Sequence, residues 1–129
     1  MHRNARVWVV DDDKSIRWVL EKALAQAEIQ TESFGSGEAL LERLATAQPD
    51  VIISDIRMPG MDGLSLLARI NEDHPALPVI ITTAHSDLDS AVASYQQGAF
   101  EYLPKPFDID EVVAITQRAL AQAREKSSG

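Results

Sequence analysis

Short apolar runs alternate with helical stripes of apolar residues along the whole chain. Between and after the runs, apolar residues recur at the three- and four-residue spacing of an amphipathic helix. The runs themselves are short and rich in β-branched or aromatic residues, which is typical of strands. The predicted strands are 6–10, 29–34, 51–55, 77–83 and 100–103.

Five strand–helix units in succession predict a single α/β domain. The strands of such a (βα)5 chain form a doubly wound parallel sheet with helices on both faces. Right-handed crossovers leave few arrangements, and the flavodoxin-like strand order 2-1-3-4-5 is the common one at this size. The third strand, 51–55, begins with the apolar run Val51-Ile52-Ile53, which does not alternate with polar residues, so we expect it to be buried on both faces.

Helix starts are predicted from residues that cap helices well. Asp13, Ser86 and Asp108 precede the first, fourth and fifth helical stripes. The predicted inward face of the fourth helix comprises Leu88, Ala91, Val92 and Tyr95. That of the fifth comprises Ile109, Val112, Val113, Thr116, Ala119, Leu120 and Ala123.

Composition excludes several classes of function. The 129 residues are 45% hydrophobic and 25% charged, as in soluble globular proteins, and no apolar stretch approaches the ~20 residues that span a bilayer. A net charge of −8 without a basic cluster argues against binding nucleic acid or an anionic membrane. Cysteine is absent, which excludes disulfides and thiolate metal sites. Because no signal peptide is recognisable, we expect a cytoplasmic protein.

Polar residues follow four of the five predicted strands. Asp11 and Asp12 end the first strand, Asp55 the third and Thr83 the fourth, while Lys105 follows the fifth. These strands are neighbours in the predicted order, and ligands of open α/β sheets bind beyond the carboxyl ends of the strands. The second strand ends in Phe34-Gly35 and offers nothing polar.

Three carboxylates and one ammonium in a cleft have a formal charge of −2, which a divalent cation would neutralise. Oxygen ligands without cysteine or clustered histidine favour Mg²⁺, with Mn²⁺ as the alternative. Helix capping would explain acids here without a metal, and Asp13 fits that role. Asp11 and Asp12 exceed what capping requires, so the metal interpretation is preferred.

Asp55 could act as a nucleophile toward a phosphoryl group and form an aspartyl phosphate. Lys105 would neutralise phosphoryl oxygens and the Thr83 hydroxyl would donate to one of them. The alternatives are a β-branched strand residue at Thr83 and a solvated loop lysine at Lys105, whose backbone is restricted by Pro104 and Pro106.

Four motifs together resemble the receiver domain of two-component response regulators. They are Val9-Val10-Asp11-Asp12, Ser54 to Gly63, Thr83-Ala84 and Leu103 to Phe107. Further stretches are similar to the nitrogen-regulatory members of that family: Trp8 to Asp13, Ser15 to Leu20, Thr83 to Asp89 and Tyr95 to Phe100. The resemblance implies a receiver domain over 1–124. Residues 125–129 would be a linker or an artificial remnant, and a frayed terminus fits them equally well.

The resemblance also implies a role for each matching residue. Asp55 would be the phosphoacceptor, Asp12 a direct Mg²⁺ ligand and Asp11 a ligand through water. The backbone carbonyl of Arg57 would complete the metal site, and Lys105 would pair with the phosphoryl group. The switch residues would be Thr83, Tyr102, His85, Asp87, Leu88 and Asp89. His85 also fits an ordinary loop position.

The partners follow from the same resemblance. A phosphohistidine of a sensor histidine kinase would be the donor, and a homodimer could form on phosphorylation. In the nitrogen-regulatory members, the receiver controls an ATPase that activates sigma-54 RNA polymerase, followed by a DNA-binding domain. Neither fits within this chain.

Other functions on such a fold remain alternatives. A Mg²⁺-dependent phosphohydrolase also works through an aspartyl phosphate, but commonly has an acid two residues after the nucleophile, where this chain has Arg57. A nucleotide- or flavin-binding module would need a glycine- or hydroxyl-rich loop after the first strand, which is acidic here. A purely structural interaction domain would lack the site residues.

Overall fold

The computed structural model describes residues 5–84 and 86–128, and five strands alternate with five helices along them. In chain order they are β1 Arg6–Val10, α1 Lys14–Gln26, β2 Gln30–Phe34, α2 Gly37–Leu44, β3 Val51–Asp55, α3 Gly63–Asp73, β4 Val79–Ala84, α4 Leu88–Gln96, β5 Glu101–Lys105 and α5 Ile109–Ser128.

The strands form one parallel sheet in the order β2-β1-β3-β4-β5, which confirms the predicted topology. The register aligns the carboxyl ends: Val10 lies beside Ser54, and Asp55 beside Thr82. The residues that end the four site-bearing strands therefore meet at one edge of the sheet.

Alternate residues of each strand pack on opposite faces. Val7 and Val9 join a core with α1 and α5, whereas Trp8 and Val10 join a core with α2 and α3. Every residue of β3 is buried, as its initial apolar run Val51-Ile52-Ile53 predicted. The alternation between the two faces follows from the two-residue period of side chains along a strand.

Two of the three predicted caps are confirmed. The Asp13 carboxylate accepts a hydrogen bond from the Ser15 N–H, and that of Asp108 accepts one from the Asp110 N–H. Ser86 was the wrong prediction for α4, whose N-cap is Asp87. The Asp87 carboxylate makes no capping bond, because it pairs with a side chain from another loop.

The predicted inward face of α4 was also wrong in part. Val92 and Tyr95 are 49% and 55% exposed, whereas Ala91 and Ser94 are fully buried. The helix approaches the sheet through these small side chains, so its larger residues lie at the flanks. The side chain of Leu88 lies outside the described part of the chain.

Three further differences concern the C-terminal third. Ile109, the first residue of α5, is 47% exposed instead of inward, while Val112, Ile115, Thr116 and Ala119 form the buried stripe. β5 continues through Lys105, and the bond from Lys105 to Pro106 is cis. The helical backbone of α5 reaches Ser128. Gly129, the last residue of the predicted linker, lies outside the described residues, and that linker stays a prediction.

Across the described ranges, no helix is long and apolar enough to cross a membrane.

Candidate phosphoryl and metal site

Three carboxylates meet at the carboxyl edge of the sheet. One oxygen from each of Asp11, Asp12 and Asp55 lies within 4.8 Å of the others. Asp11 and Asp55 are buried, at 1% and 8% exposure, whereas Asp12 is exposed. The cluster therefore combines a fixed inner part with a side open to solvent. Hard oxygen donors in this number suit Mg²⁺ better than zinc.

Lys105 joins the two buried carboxylates. Its Nζ lies 3.0 Å from Asp11 Oδ2 and 3.2 Å from Asp55 Oδ1. Burial alone lowers the pKa of Lys105, but the hydrogen bonds and charges of both aspartates outweigh it, so this pKa lies above its ordinary value. The ammonium is thus held in its charged form between two acids.

Burial raises the pKa of Asp55 above its ordinary value, and the negative charge of Asp11 adds to this effect. The charge and hydrogen bond of Lys105, and a hydrogen bond from the backbone N–H of Arg57, oppose the shift only partly. Without a bound cation, the surroundings of Asp55 therefore disfavour its charged form. An added positive charge would stabilise the carboxylate.

An open cleft lies in front of Asp55. It has a volume of about 410 Å³ and is lined by Asp55, Ile56, Arg57, Ala84, Ser86, Asp87 and Lys105. The cleft gives a reactant access to the Asp55 carboxylate from the solvent side. Its lining combines the carboxylates of Asp55 and Asp87 with the cationic side chains of Arg57 and Lys105, and such cations can bind the oxygens of a phosphoryl group.

The hydroxyl of Thr83 points toward the start of α4. Thr83 is fully buried, and its Oγ1 donates to the carbonyl oxygens of Ala84 and Asp87, at 3.3 and 3.2 Å. The adjacent Thr82 is equally buried, and strand alternation directs it to the opposite face. Thr83 is therefore the hydroxyl on the α4 side of the sheet.

The side chain of Arg57 reaches Asp87, which the sequence analysis did not anticipate. Its Nε and Nη2 donate to the two carboxylate oxygens of Asp87 at 2.7 and 3.1 Å. A hydrogen bond from Arg57, and to a lesser extent one from Ser90, lowers the pKa of Asp87. No signal in the sequence marked this pair, because thirty positions separate its members.

The other predicted switch residues lie around α4. Tyr102 is half-buried, and its ring meets that of Tyr95 edge-on at a centroid distance of 6.5 Å. Asp89 is exposed in the first turn of the helix. His85 and the side chain of Leu88 lie outside the described residues.

Two further residues shape the site without belonging to the predicted set. Arg17 Nη1 donates to the backbone carbonyl of Asp11 at 2.6 Å. Gly63 starts α3 so close to β3 that a Cβ there would lie 2.3 Å from the carbonyl oxygen of Asp55. Glycine in a tight loop was apparent from the sequence, but the neighbour that requires it was not.

Comparisons with known proteins agree with this geometry. The family model of the response regulator receiver domain matches residues 7–117. The chain is 65% identical over 120 residues to the DNA-binding transcriptional regulator NtrC of Escherichia coli K12, and 43% identical over 116 residues to that of Azospirillum brasilense. These stretches cover 93% and 90% of the chain but only 26% and 24% of the relatives, so the chain spans about a quarter of their length.

Solved structures give the same result. The apo receiver domain of nitrogen regulatory protein C is similar with a TM-score of 0.83 and 64% identity, over 94% of this chain and 97% of that one. The BeF3-activated form of the same domain is similar with a TM-score of 0.79 and 63% identity, over 93% of this chain and 97% of that one. NtrX of Brucella abortus in complex with ADP is similar with a TM-score of 0.92 and 30% identity, over 98% of this chain and 29% of that one.

Proposed function

The chain belongs to the response regulator receiver domain family, and we propose that it accepts a phosphoryl group on Asp55 from a phosphohistidine of a sensor histidine kinase. The observation that carries this proposal is the placement of the Asp55 carboxylate at the end of a buried strand, 3.2 Å from Lys105 and facing an open cleft.

In the proposed reaction, a carboxylate oxygen of Asp55 attacks the phosphorus. The new P–O bond forms as the P–N bond to the imidazole breaks, and the imidazole nitrogen keeps the electron pair and takes a proton from water. Lys105 moves little, since it already contacts Asp55, and its ammonium pairs with a phosphoryl oxygen. Hydrolysis of the aspartyl phosphate by water returns the resting carboxylate.

Asp12, Asp55 and the Arg57 backbone carbonyl would hold Mg²⁺ directly, and Asp11 would hold it through water. Mn²⁺ would fit the same oxygen donors. When bound, the cation supplies positive charge to the phosphoryl oxygens as negative charge builds up on them. The donor set fits because the carboxylates and Lys105 together carry a formal −2.

Asp87 couples the phosphoryl site to α4 in this proposal. In the resting protein its carbonyl accepts from Thr83 and its carboxylate from Arg57. A phosphoryl group on Asp55 would add about two negative charges to the cleft that Arg57 and Asp87 line, and would offer the two donors new acceptors. Thr83 and Arg57 would then release Asp87, and the helix would shift.

The burial of α4 is compatible with such movement. Among its described side chains, only Ala91 and Ser94 are fully buried, so the helix has little apolar area fixed on the sheet. The moving surface would include Tyr95 and Tyr102, whose rings are in contact. Phosphorylation would in this way be converted into a change of surface.

The partners proposed for the domain rest on its resemblance to the nitrogen-regulatory receivers and on the greater length of those relatives. Because those proteins are about four times as long, we propose that the receiver controls an attached sigma-54 activator ATPase and a DNA-binding domain in nitrogen regulation. The kinase would contact α1, and phosphorylation could produce a homodimer. The receiver itself would bind neither nucleic acid nor membrane and would act in the cytoplasm.

Intact-mass spectrometry tests the assignment of Asp55. The chain is incubated with acetyl phosphate, with and without Mg²⁺, beside Asp55→Asn and the exposed-carboxylate control Asp73→Asn. We expect one Mg²⁺-dependent phosphoryl adduct in the wild type and in Asp73→Asn, and none in Asp55→Asn. The Lys105→Ala variant should react more slowly while still binding Mg²⁺.

Other outcomes would change the conclusion. A full adduct on Asp55→Asn would remove Asp55 as the phosphoacceptor. Rapid release of inorganic phosphate without an adduct would favour a phosphohydrolase, and trapping with beryllofluoride would separate it from a short-lived receiver. Absence of both adduct and turnover would leave kinase-dependent phosphorylation to be tested.

A further inference from the structure

We propose that Arg17 is a positioning residue for the metal site, holding the peptide between Asp11 and Asp12 so that both carboxylates face Asp55. This inference rests on the proposed function, because it concerns the cation that phosphorylation needs. Arg17 touches neither the reacting carboxylate nor the cleft, so its action would pass through the backbone of Asp11.

The contact that carries the inference is short and charge-assisted. Arg17 Nη1 donates to the carbonyl oxygen of Asp11 at 2.6 Å, and the side chain of Arg17 is half-buried. That carbonyl belongs to the peptide that joins Asp11 to Asp12. A donor fixed on this peptide restrains ψ of Asp11 and φ of Asp12, and these two angles set where the chain places Asp12 relative to Asp11.

The remaining polar groups of Asp11 are also engaged. Its N–H donates to Phe34 O at 3.2 Å, Oδ1 accepts from the Asp13 N–H at 2.8 Å, and Oδ2 accepts from Lys105. The bond from Arg17 completes this set. Asp11 is thus held at its amide, its carbonyl and both carboxylate oxygens, while Asp12 is exposed and depends on the peptide before it.

Arg17 is itself well placed to hold the turn. Its N–H donates to Asp13 O in the first turn of α1, and the start of that helix is capped by the Asp13 side chain. At Gly35, after β2, a Cβ would lie 3.5 Å from Arg17 Nη1, so the guanidinium passes close to the end of that strand. The side chain therefore spans from α1 to the carboxyl edge of the sheet.

Charge and position predict opposite effects on Mg²⁺ binding. If Arg17 acted only as a nearby positive charge, its removal would leave the site more negative and Mg²⁺ would bind more tightly. If Arg17 positions the two aspartates, its removal weakens binding. Loss of a group that orients metal ligands typically costs about 10–100-fold in affinity.

The test is an amide NMR titration of the chain with MgCl2 at constant ionic strength. The variants are Arg17→Met, Arg17→Lys and the control Arg69→Met, which removes the same charge from an exposed position of α3, across the sheet from α1. We expect the Kd for Mg²⁺ to rise about tenfold in Arg17→Met. The Kd of Arg17→Lys should lie between those of Arg17→Met and the wild type. Arg69→Met should not weaken Mg²⁺ binding.

An unchanged or lower Kd in Arg17→Met, or an equal rise in Arg69→Met, would overturn the proposal. Thermal unfolding without Mg²⁺ checks the fold of each variant. If Arg17→Met does not fold, Arg17→Lys decides, because it keeps the charge and loses the reach of the guanidinium; a wild-type Kd there overturns the proposal. Failure of the wild type itself to bind Mg²⁺ would instead reject the proposed function.

Discussion

The guanidinium of Arg57 donates two hydrogen bonds to the carboxylate of Asp87, at 2.7 and 3.1 Å, and so joins the loop after β3 to the N-terminus of α4. A third contact, 3.4 Å from Arg57 Nη2 to Ser90 Oγ, extends this connection into the first turn of the helix. Arg57, which follows the proposed phosphoacceptor Asp55 by two positions, thus contacts the helix proposed to move.

Arg57→Met should therefore shift the unphosphorylated protein toward the conformation seen after phosphorylation. The pair lies near the surface, where ion pairs are weak, so a few-fold change in population is expected rather than complete conversion. Amide shifts of α4 should move partway along the line between the resting and beryllofluoride-treated wild-type spectra.

A charge swap provides the control for this prediction. The double variant Arg57→Asp with Asp87→Arg restores an ion pair of reversed polarity, and α4 shifts should return toward the resting values. Arg43→Met, on α2, breaks the exposed ion pair with Glu32 of β2 and should leave the α4 shifts unchanged. Equal shifts in Arg43→Met and Arg57→Met would show that the Asp87 pair has no special role.

Asp55→Asn should stabilise the fold near neutral pH. The pKa of Asp55 is raised in the folded state, chiefly by burial, so its contribution to stability is greatest at low pH and is lost as pH rises from the unfolded pKa through the folded one. We therefore expect the Tm of Asp55→Asn to lie above that of the wild type at pH 7.

That difference should shrink as the pH falls below about 4, where the wild-type carboxyl is protonated in both states. Lys105 still has Asp11 as its partner in the variant, at 3.0 Å. Thermal unfolding at several pH values without Mg²⁺ measures the effect. A lower Tm for Asp55→Asn at pH 7 would mean that the bond to Lys105 outweighs burial.

Mg²⁺ should raise the stability of the wild type by mass action. At a concentration ten times its Kd, the gain is about 1.4 kcal/mol. Asp12→Asn should lose most of this gain. The neighbouring Asp13→Asn should keep it, because asparagine caps helices as well as aspartate does and Asp13 serves α1.

Thermal unfolding in MgCl2 and in NaCl of equal ionic strength separates specific binding from screening. An equal gain in Asp12→Asn and wild type would place the cation elsewhere. An equal loss in Asp13→Asn would show that the overall charge of the acidic turn matters more than the individual carboxylate.

Gly63→Ala should destabilise the protein and displace the backbone of Asp55, the proposed phosphoacceptor. A Cβ at this position would lie 2.3 Å from Asp55 O and 2.7 Å from Ile56 Cα, both of them backbone atoms that cannot simply turn aside. We expect a loss of about 2–3 kcal/mol in chemical denaturation, together with slower phosphorylation.

Gly35→Ala is the matched control for this variant. A Cβ there would lie 3.5 Å from Arg17 Nη1, an ordinary van der Waals contact with a side chain. Its free energy of unfolding should change by less than about 0.5 kcal/mol. Similar losses of stability in both variants would show that replacing any glycine is costly, and that the close approach of α3 to β3 is not the specific cause.

The sequence predicted the sheet topology because its apolar pattern changes repeatedly between the periods of a strand and of a helix. Parallel strands share one carboxyl edge, so the residues that end them could be expected to meet there. Asp11, Asp12, Asp55 and Lys105 do meet. Their roles in phosphorylation stay proposals that the experiments above test.

Side-chain partners from distant parts of the chain were beyond such reasoning. α4 begins after Asp87, whose carboxylate pairs with Arg57 from the loop after β3, and Ser86 was therefore the wrong cap. The bond from Arg17 to the Asp11 carbonyl likewise depends on where α1 lies over the end of β2.

The sequence by itself therefore determined the order of elements and the composition of the site, since both follow from local periodicity and from the topology of parallel strands. The tertiary structure alone decided which face of α4 is buried. Ala91 and Ser94 lie inward because small side chains let the helix approach the sheet, a matter of packing that an apolar pattern does not encode.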